Sequence, residues 1–252
     1  MNRFEGKVVL VTGASSGIGE ATAVRLGAEG ARLLLTGRDD ARLAATSRAC
    51  EEVGAVCRSE LRDLVLPESA GAIVGSALNA WGQIDVVVNC AGSFGWNAPT
   101  DSLSDDEWYS VLDVNLTAPM RVIRAAIPAL RASSGVIVNV SSISGYLGDR
   151  VSVCAHYAAA KAGLDGLTRQ LSVELAPNVR VVGVAPGTIE TPMLDGWLDD
   201  PEQRQAWLER FVPARRIGAA SEVAAAIAFA ASNDGSYVTG TTLMVDGGMA
   251  VV

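Results

Sequence analysis

The chain has 252 residues, is 49% hydrophobic and carries a formal net charge of -8, with a pI near 4.7. That length suffices for one well-buried domain, and the acidity argues against a nucleic-acid or anionic-membrane surface. No apolar run reaches the roughly 20 residues of a membrane span, no secretory pattern opens the chain, and no linker, repeat or charge block divides it.

The elements follow in chain order. Val8 to Val11 form an unbroken apolar run, as in a parallel strand covered on both faces. The same reasoning predicts strands at 7–12, 31–36, 55–60, 84–89, 135–141, 179–184 and 241–246. Helices fall between them at 17–29, 39–53, 67–81, 104–131, 155–176 and 221–231. Ser104 and Glu107 have capping-box spacing, and Asp200-Pro201 suits the first turn of a further short helix. Such alternation predicts a single α/β domain with a seven-stranded, doubly wound parallel sheet flanked by helices. Ligands of such sheets bind beyond the carboxyl ends of the strands. Ser142 follows the strand at 135–141 and Pro186 follows the strand at 179–184, which places both at that edge.

The first strand runs into Thr-Gly-Ala-Ser-Ser-Gly-Ile-Gly, with Gly13, Gly17 and Gly19 before the first helix. Strand, glycine turn and helix N-terminus together make a Rossmann-like site for a dinucleotide pyrophosphate. The glycines admit the backbone close to the phosphates, and the helix offers free N–H groups. No Lys-Ser/Thr pair follows the last glycine, so this is not a Walker loop.

Near the middle of the chain stand Ser142 and Tyr-Ala-Ala-Ala-Lys, Tyr157 to Lys161. Residues four apart share a helix face, so the lysine lies near the tyrosine. A phenol with an ordinary pKa of about 10 trades protons poorly near neutrality. A nearby ammonium is expected to lower it, which makes Tyr157 a candidate acid for ketone reduction or base for alcohol oxidation. The Ser142 hydroxyl can hold the substrate oxygen beside it.

With these motifs the chain resembles the short-chain dehydrogenase/reductase family in its compact form. The resemblance rests on Thr12 to Gly19, Asn89-Cys90-Ala91-Gly92, Asn115, Ser141-Ser142, Tyr157 to Lys161, Pro186-Gly187 and Asp246-Gly247-Gly248, in the family's order. It implies a nicotinamide dinucleotide that carries the hydride, with Tyr157 as acid/base and Lys161 on the nicotinamide ribose. Asn115 would hold a relay water behind Lys161. Ser144 stands at the family's usual distance before the tyrosine and Ser142 two residues further away. Ser142 is nonetheless chosen, because it closes the strand in a Ser-Ser pair with Gly145 three residues on; the extra length then belongs to the loop 146–154.

The resemblance also implies the cofactor contacts. They are Gly13, Ser15, Ser16, Gly17, Ile18 and Gly19 at the pyrophosphate, and Asp63 and Leu64 at the adenine. Asn89, Ala91 and Gly92 lie along the dinucleotide, with Pro186, Gly187, Ile189 and Thr191 near the carboxamide and phosphates. At the end of the second strand Gly37 stands where a carboxylate would bind the adenosine ribose, and Arg38 follows. A guanidinium suits a 2′-phosphate, so NADP(H) is favoured. Ser16, where many NADP-dependent relatives carry Arg or Lys, keeps NAD(H) open. Asp39 and Asp40 are expected to open the next helix.

The segment 192–216 is expected to be a substrate lid, with Met193, Leu194, Trp197, Trp207 and Phe211; Phe94, Trp96 and Ser144 add to the pocket. Together they imply a ketone or secondary alcohol with apolar bulk. His156 is the only histidine, and Cys50, Cys57, Cys90 and Cys154 form no ligand pair, so no metal site is expected. Unpaired thiols fit a cytoplasmic protein. The resemblance implies a homotetramer, with a homodimer as the alternative, through the helices at 104–131 and 155–176 and the last strand. A 3-oxoacyl-carrier-protein reductase remains an alternative function, its carrier docking on Arg204, Arg210, Arg215 and Arg216. A non-catalytic dinucleotide-binding regulator is a third reading, disfavoured by the complete Asn, Ser, Tyr, Lys set.

Overall fold

The structure, a computed structural model, describes residues 2–95, 97–148, 154–196 and 199–251. Trp96 and Trp197, and much of the loop 146–154, therefore lie outside the described residues. Seven parallel strands form the main sheet in the order β3-β2-β1-β4-β5-β6-β9. They are β1 (Val8–Thr12), β2 (Arg32–Gly37), β3 (Val56–Leu61), β4 (Val86–Asn89), β5 (Val136–Val140), β6 (Arg180–Pro186) and β9 (Thr242–Val245). Each predicted strand is present. A separate pair, β7 (Ile189–Glu190) and β8 (Gly218–Ala219), is too short to show in a hydrophobic pattern.

Alternation within a strand divides the core between two faces. Val9 and Val11 face α1 (Gly17–Ala28), α2 (Asp40–Glu52) and α8 (Ala220–Ala231). Leu10 faces α3 (Ser69–Trp81), α5 (Ala118–Ser133) and the end of α6 (Ala155–Glu174). Both groups are fully buried, and each such side chain stabilises the fold by about 1.5–3 kcal/mol. That is why a run without alternation of polarity forms a central strand here. The edge strand β3 is mostly exposed and carries Arg58, Ser59 and Glu60, which discourage further pairing.

The predicted helix at 104–131 is three segments. α4 (Asp105–Leu112) carries the expected capping box, with Glu107 N–H donating to Ser104 Oγ at 3.3 Å and Ser104 N–H to Glu107 at 2.9 Å. A π-helical turn, Asp113–Thr117, then leads into α5. Such turns recur at functional sites. Asp39 caps α2, accepting from Arg42 N at 3.0 Å, as its position implied. Asp200 likewise caps α7 (Pro201–Phe211). Among the described residues, no helix is long and apolar enough to cross a membrane.

Candidate active site

β1 and β4 are neighbours although helices leave them to opposite faces, so the chain reverses direction between them. A crevice opens at that point, and it is a cleft of about 1010 Å³. Gly13 sits at its floor with φ +64°, and a Cβ there would lie 2.7 Å from Ala91 Cα. A Cβ at Gly19 would lie 2.1 Å from Gly13 O, so only glycine lets α1 begin so close to the strand. Thr12 Oγ1 ties the two strand ends together, accepting from Cys90 N at 3.0 Å and Ala91 N at 3.1 Å. Ser16 caps α1 in extended conformation with no side-chain hydrogen bond, which leaves the first-turn N–H groups for an anion. A cradle that a Cβ would fill, at a helix N-terminus, fits a dinucleotide pyrophosphate.

Gly13, Ser15, Ser16, Gly17, Ile18, Gly19, Arg38, Asp63, Leu64, Ala91, Gly92, Pro186, Gly187, Ile189 and Thr191 all line this cleft, as expected. Asn89 does not, which corrects the expectation. It is 2% exposed within the sheet, where Nδ2 donates to Asn139 Oδ1 at 2.9 Å and Asn139 donates on to Thr168. As the last residue of β4 it follows the strand's alternation, which turns its side chain into the interior rather than towards the ligand.

Two residues not singled out from sequence line the cleft with Arg38: Arg42 on the first turn of α2, and Arg62 directly after β3. Arg62 N–H donates to Gly37 O at 2.9 Å, so the first residues beyond β2 and β3 emerge side by side. That register was the available signal. Arg62 pairs with Glu60 and Arg42 with Asp39, whereas Arg38 is exposed and has no carboxylate within ion-pair distance among the described residues. Gly37 lacks room as well as charge, since a Cβ would meet Ser15 Cβ at 2.9 Å.

The reacting groups meet where β5 ends. Ser142 is extended, and its hydroxyl accepts Ser144 N–H at 3.1 Å. The Ser142 side chain also acts on the Tyr157 phenol, favouring its ionised form, which makes Ser142 rather than Ser144 the candidate partner of the tyrosine. Phe94 packs on the phenol ring with centroids 4.6 Å apart. Tyr157 lies on the first turn of α6, where the Cys154 side chain provides no capping bond. There His156 Nδ1 accepts the Tyr157 N–H at 2.9 Å, giving the only histidine a capping task that sequence did not show.

Lys161 Nζ lies 5.5 Å from the centre of the Tyr157 ring and donates to Val140 O at 2.9 Å. The expected lowering of the phenol pKa by this ammonium is not what the geometry gives. Burial pushes Tyr157 up to about 12, partly opposed by the Ser142 hydroxyl. Burial also pulls Lys161 down to about 8. The ammonium faces the ring and is held by a carbonyl, while the phenolate loses its hydration.

Asn115, fully buried in the π-turn, spends its side chain on backbone: Nδ2 donates to Ser93 O at 2.7 Å and Val111 O at 2.9 Å. Its Oδ1 accepts Ser93 N–H at 3.3 Å. The amide therefore fixes the Gly92–Ser93 turn that carries Phe94. Phe94, Ser144, Met193 and Leu194 line the cleft as expected, joined by Ile143, Leu147, Trp207, Arg210, Phe211 and Met249. No cluster of metal-ligating side chains occurs among the described residues.

A seven-stranded parallel sheet with a glycine cradle and a Ser–Tyr–Lys set at one edge defines a dinucleotide-dependent oxidoreductase. The family described as "Enoyl-(Acyl carrier protein) reductase" matches residues 13–250. "3beta-hydroxysteroid dehydrogenase 1" of Eggerthella lenta is 42% identical over 252 residues, covering 98% of this chain and 95% of the relative. The 3-oxoacyl-[acyl-carrier-protein] reductase FabG of Escherichia coli is 38% identical, with 99% of each chain covered. The crystal structure of levodione reductase superposes with a TM-score of 0.92 at 36% identity, again over 99% of each chain. This chain belongs to the short-chain dehydrogenase/reductase family. It is an oxidoreductase acting on CH–OH groups or the corresponding ketones of small molecules, with NAD(P)(H).

Proposed function

We propose that the protein is an NADP(H)-dependent reductase, interconverting a ketone that has apolar bulk and its secondary alcohol. The Ser142 hydroxyl acting on the Tyr157 phenol, with Lys161 Nζ 5.5 Å from the ring centre, is the observation that carries this reading. When bound, the nicotinamide supplies or accepts the hydride. Ser142 and Tyr157 together hold the substrate oxygen and stabilise charge developing on it. In the reducing direction Tyr157 gives its proton to that oxygen. A phenol raised to about 12 stays protonated at neutral pH, yet a nascent alkoxide is a far stronger base, so transfer runs downhill. Lys161, brought near 8, is placed to return the proton, and we assign Asn115 to the relay behind it through its place in the π-turn.

The lid reading of 192–216 is supported by Met193, Leu194, Trp207 and Phe211 on the cleft wall. These residues supply apolar surface for a hydrocarbon body. Assay of NADPH oxidation against a 3-oxosteroid, a 3-oxoacyl thioester, a cyclic diketone and simple aliphatic ketones tests the reading. Turnover of at least one apolar ketone is the expected result. Failure of every ketone would leave the dinucleotide-binding regulator as the better account.

Cofactor preference rests on Arg38, which has no carboxylate within ion-pair distance among the described residues and lines the cleft with Arg42 and Arg62. A charge-assisted hydrogen bond to a phosphate contributes about 1.5–3 kcal/mol. Arg38→Ala is therefore expected to weaken NADPH binding by about 10- to 100-fold and to leave NADH nearly unchanged. Dissociation constants for both cofactors, read by fluorescence titration, test this; equal losses, or a wild-type preference for NADH, would assign the protein to NAD.

The carrier-protein alternative is supported by the likeness to the FabG enzymes. Of its proposed docking arginines, Arg216 is tied to Glu222 at 2.6 Å and Arg210 lies over the Phe211 ring. Both therefore have local partners. We also propose a homotetramer. Exposed Tyr109 on α4, Val173 on α6 and Met244 on the edge strand β9 support it, and a monomer in light scattering would refute it.

A further inference from the structure

We infer that Asp165 is a positioning residue for the reacting groups: buried on α6 one turn beyond Lys161, it clamps Ser141, and with it Ser142, to the helix that carries Tyr157 and Lys161. The inference rests on the reading of Ser142, Tyr157 and Lys161 as the reacting set.

Asp165 is 2% exposed. Its Oδ2 accepts from Ser141 Oγ at 2.7 Å, and its Oδ1 accepts from Thr242 Oγ1 at 2.8 Å. The Tyr146 phenol lies near enough to the same carboxylate and to Thr242 for both to act on its pKa. One carboxylate thus joins the end of β5, the edge strand β9 and α6. Ser141 still belongs to the sheet, since its N–H donates to Val184 O at 2.7 Å. Successive side chains of an extended segment point to opposite sides. With Ser141 drawn to Asp165, Ser142 is turned towards Tyr157. The next turn, Ile143–Gly145, sits flush on α6: a Cβ at Gly145 would lie 3.0 Å from Asp165 Oδ2 and from Ala162 N. Burying a carboxylate between sheet and helix is costly, and an apolar residue would fill the space without that cost. Placement of Ser142 against Tyr157 gives the charge a use.

The charge has a second consequence. The titratable groups that act on or face Lys161 are Asp165 and Tyr157 on its own helix and Cys90 after β4. Cys90 is a half-buried thiol pushed up to about 12 and is neutral, which leaves Asp165 as the anion that favours protonated Lys161. Facing Asp165 itself are Tyr146, a neutral phenol raised by burial, and Arg169 near that phenol.

The test compares Asp165→Asn, Ser141→Ala, Thr242→Val and the pair Asp165→Asn/Ser141→Ala, with Tyr157→Phe alongside, on the ketone that wild type turns over best. Misplacement of a reacting group costs up to about 10²-fold, so Asp165→Asn is expected to lower kcat by roughly 10- to 100-fold. KM for the ketone and the NADPH dissociation constant should stay within about threefold. The deficit should widen as pH rises from about 6 to about 9, because Lys161 loses its proton earlier without the anion. Ser141→Ala should share the loss, and the pair should be no worse than Asp165→Asn within about twofold. Wild-type kcat in Asp165→Asn, a loss that multiplies in the pair, or one matched by weakened NADPH binding would overturn the inference. Should Asp165→Asn fail to fold, Ser141→Ala decides: lowered kcat with unchanged NADPH affinity supports the clamp, provided Thr242→Val costs less; unchanged kcat removes it. If Tyr157→Phe is fully active, the reading of the site fails. If it is inactive while the clamp variants match wild type, only the clamp fails.

Discussion

Tyr157→Phe is expected to lower turnover by about 10²–10⁴, the usual contribution of a positioned general acid. The substitution removes one oxygen and little else. The ring keeps its contact with Phe94, and Lys161 keeps its bond to Val140 O, so the cofactor site and the first turn of α6 should be unchanged. NADPH affinity should therefore match wild type while the chemical step fails. Single-turnover reduction of the best ketone, with NADPH binding measured separately, checks both halves. Retention of more than about a tenth of wild-type turnover with chemistry rate-limiting would remove Tyr157 from the acid role.

The second large effect is expected at the serine. Ser142→Ala removes the hydroxyl that acts on the phenol and should cost about 10²–10³ in kcat, as loss of a donor to a developing oxyanion does. Ser144→Ala should cost far less, because the recorded contact of Ser144 with the set is its backbone N–H donating to Ser142, which alanine retains. The comparison is informative because Ser144 holds the family's usual spacing. The reverse ranking would move the role to Ser144.

Much of this was legible in the sequence, for identifiable reasons. Unbroken apolar runs mark strands covered on both faces, and most of the seven strands of the main sheet came from them, the polar edge strand β3 excepted. The glycine cradle was legible because Gly13 and Gly19 occupy places where a Cβ would strike backbone. What failed depends on direction rather than identity. Asn89 was placed on the dinucleotide by its motif, but strand alternation turns it inward to Asn139. Lys161 was correctly set beside Tyr157, but the burial of the phenol, which raises its pKa, was not foreseen. Arg62 and Asp165 were missed because their significance arises from strand register and helix packing. Ser141, Asp165 and Thr242 lie far apart in sequence, and only the fold brings them together.

Transfer of deuterium from NADPH labelled at both C4 positions tests the central claim most directly. The family description that matches this chain names an enoyl reductase, which would place hydride on a carbon–carbon double bond. The roles proposed for Ser142 and Tyr157 at one substrate oxygen would place it on a carbonyl carbon instead. A substrate carrying both groups, a 4-en-3-one steroid, separates the outcomes by mass spectrometry and NMR of the product. The account predicts one deuterium on the carbinol carbon, with the double bond retained. Deuterium on a saturated ring carbon, with the ketone intact, would contradict it.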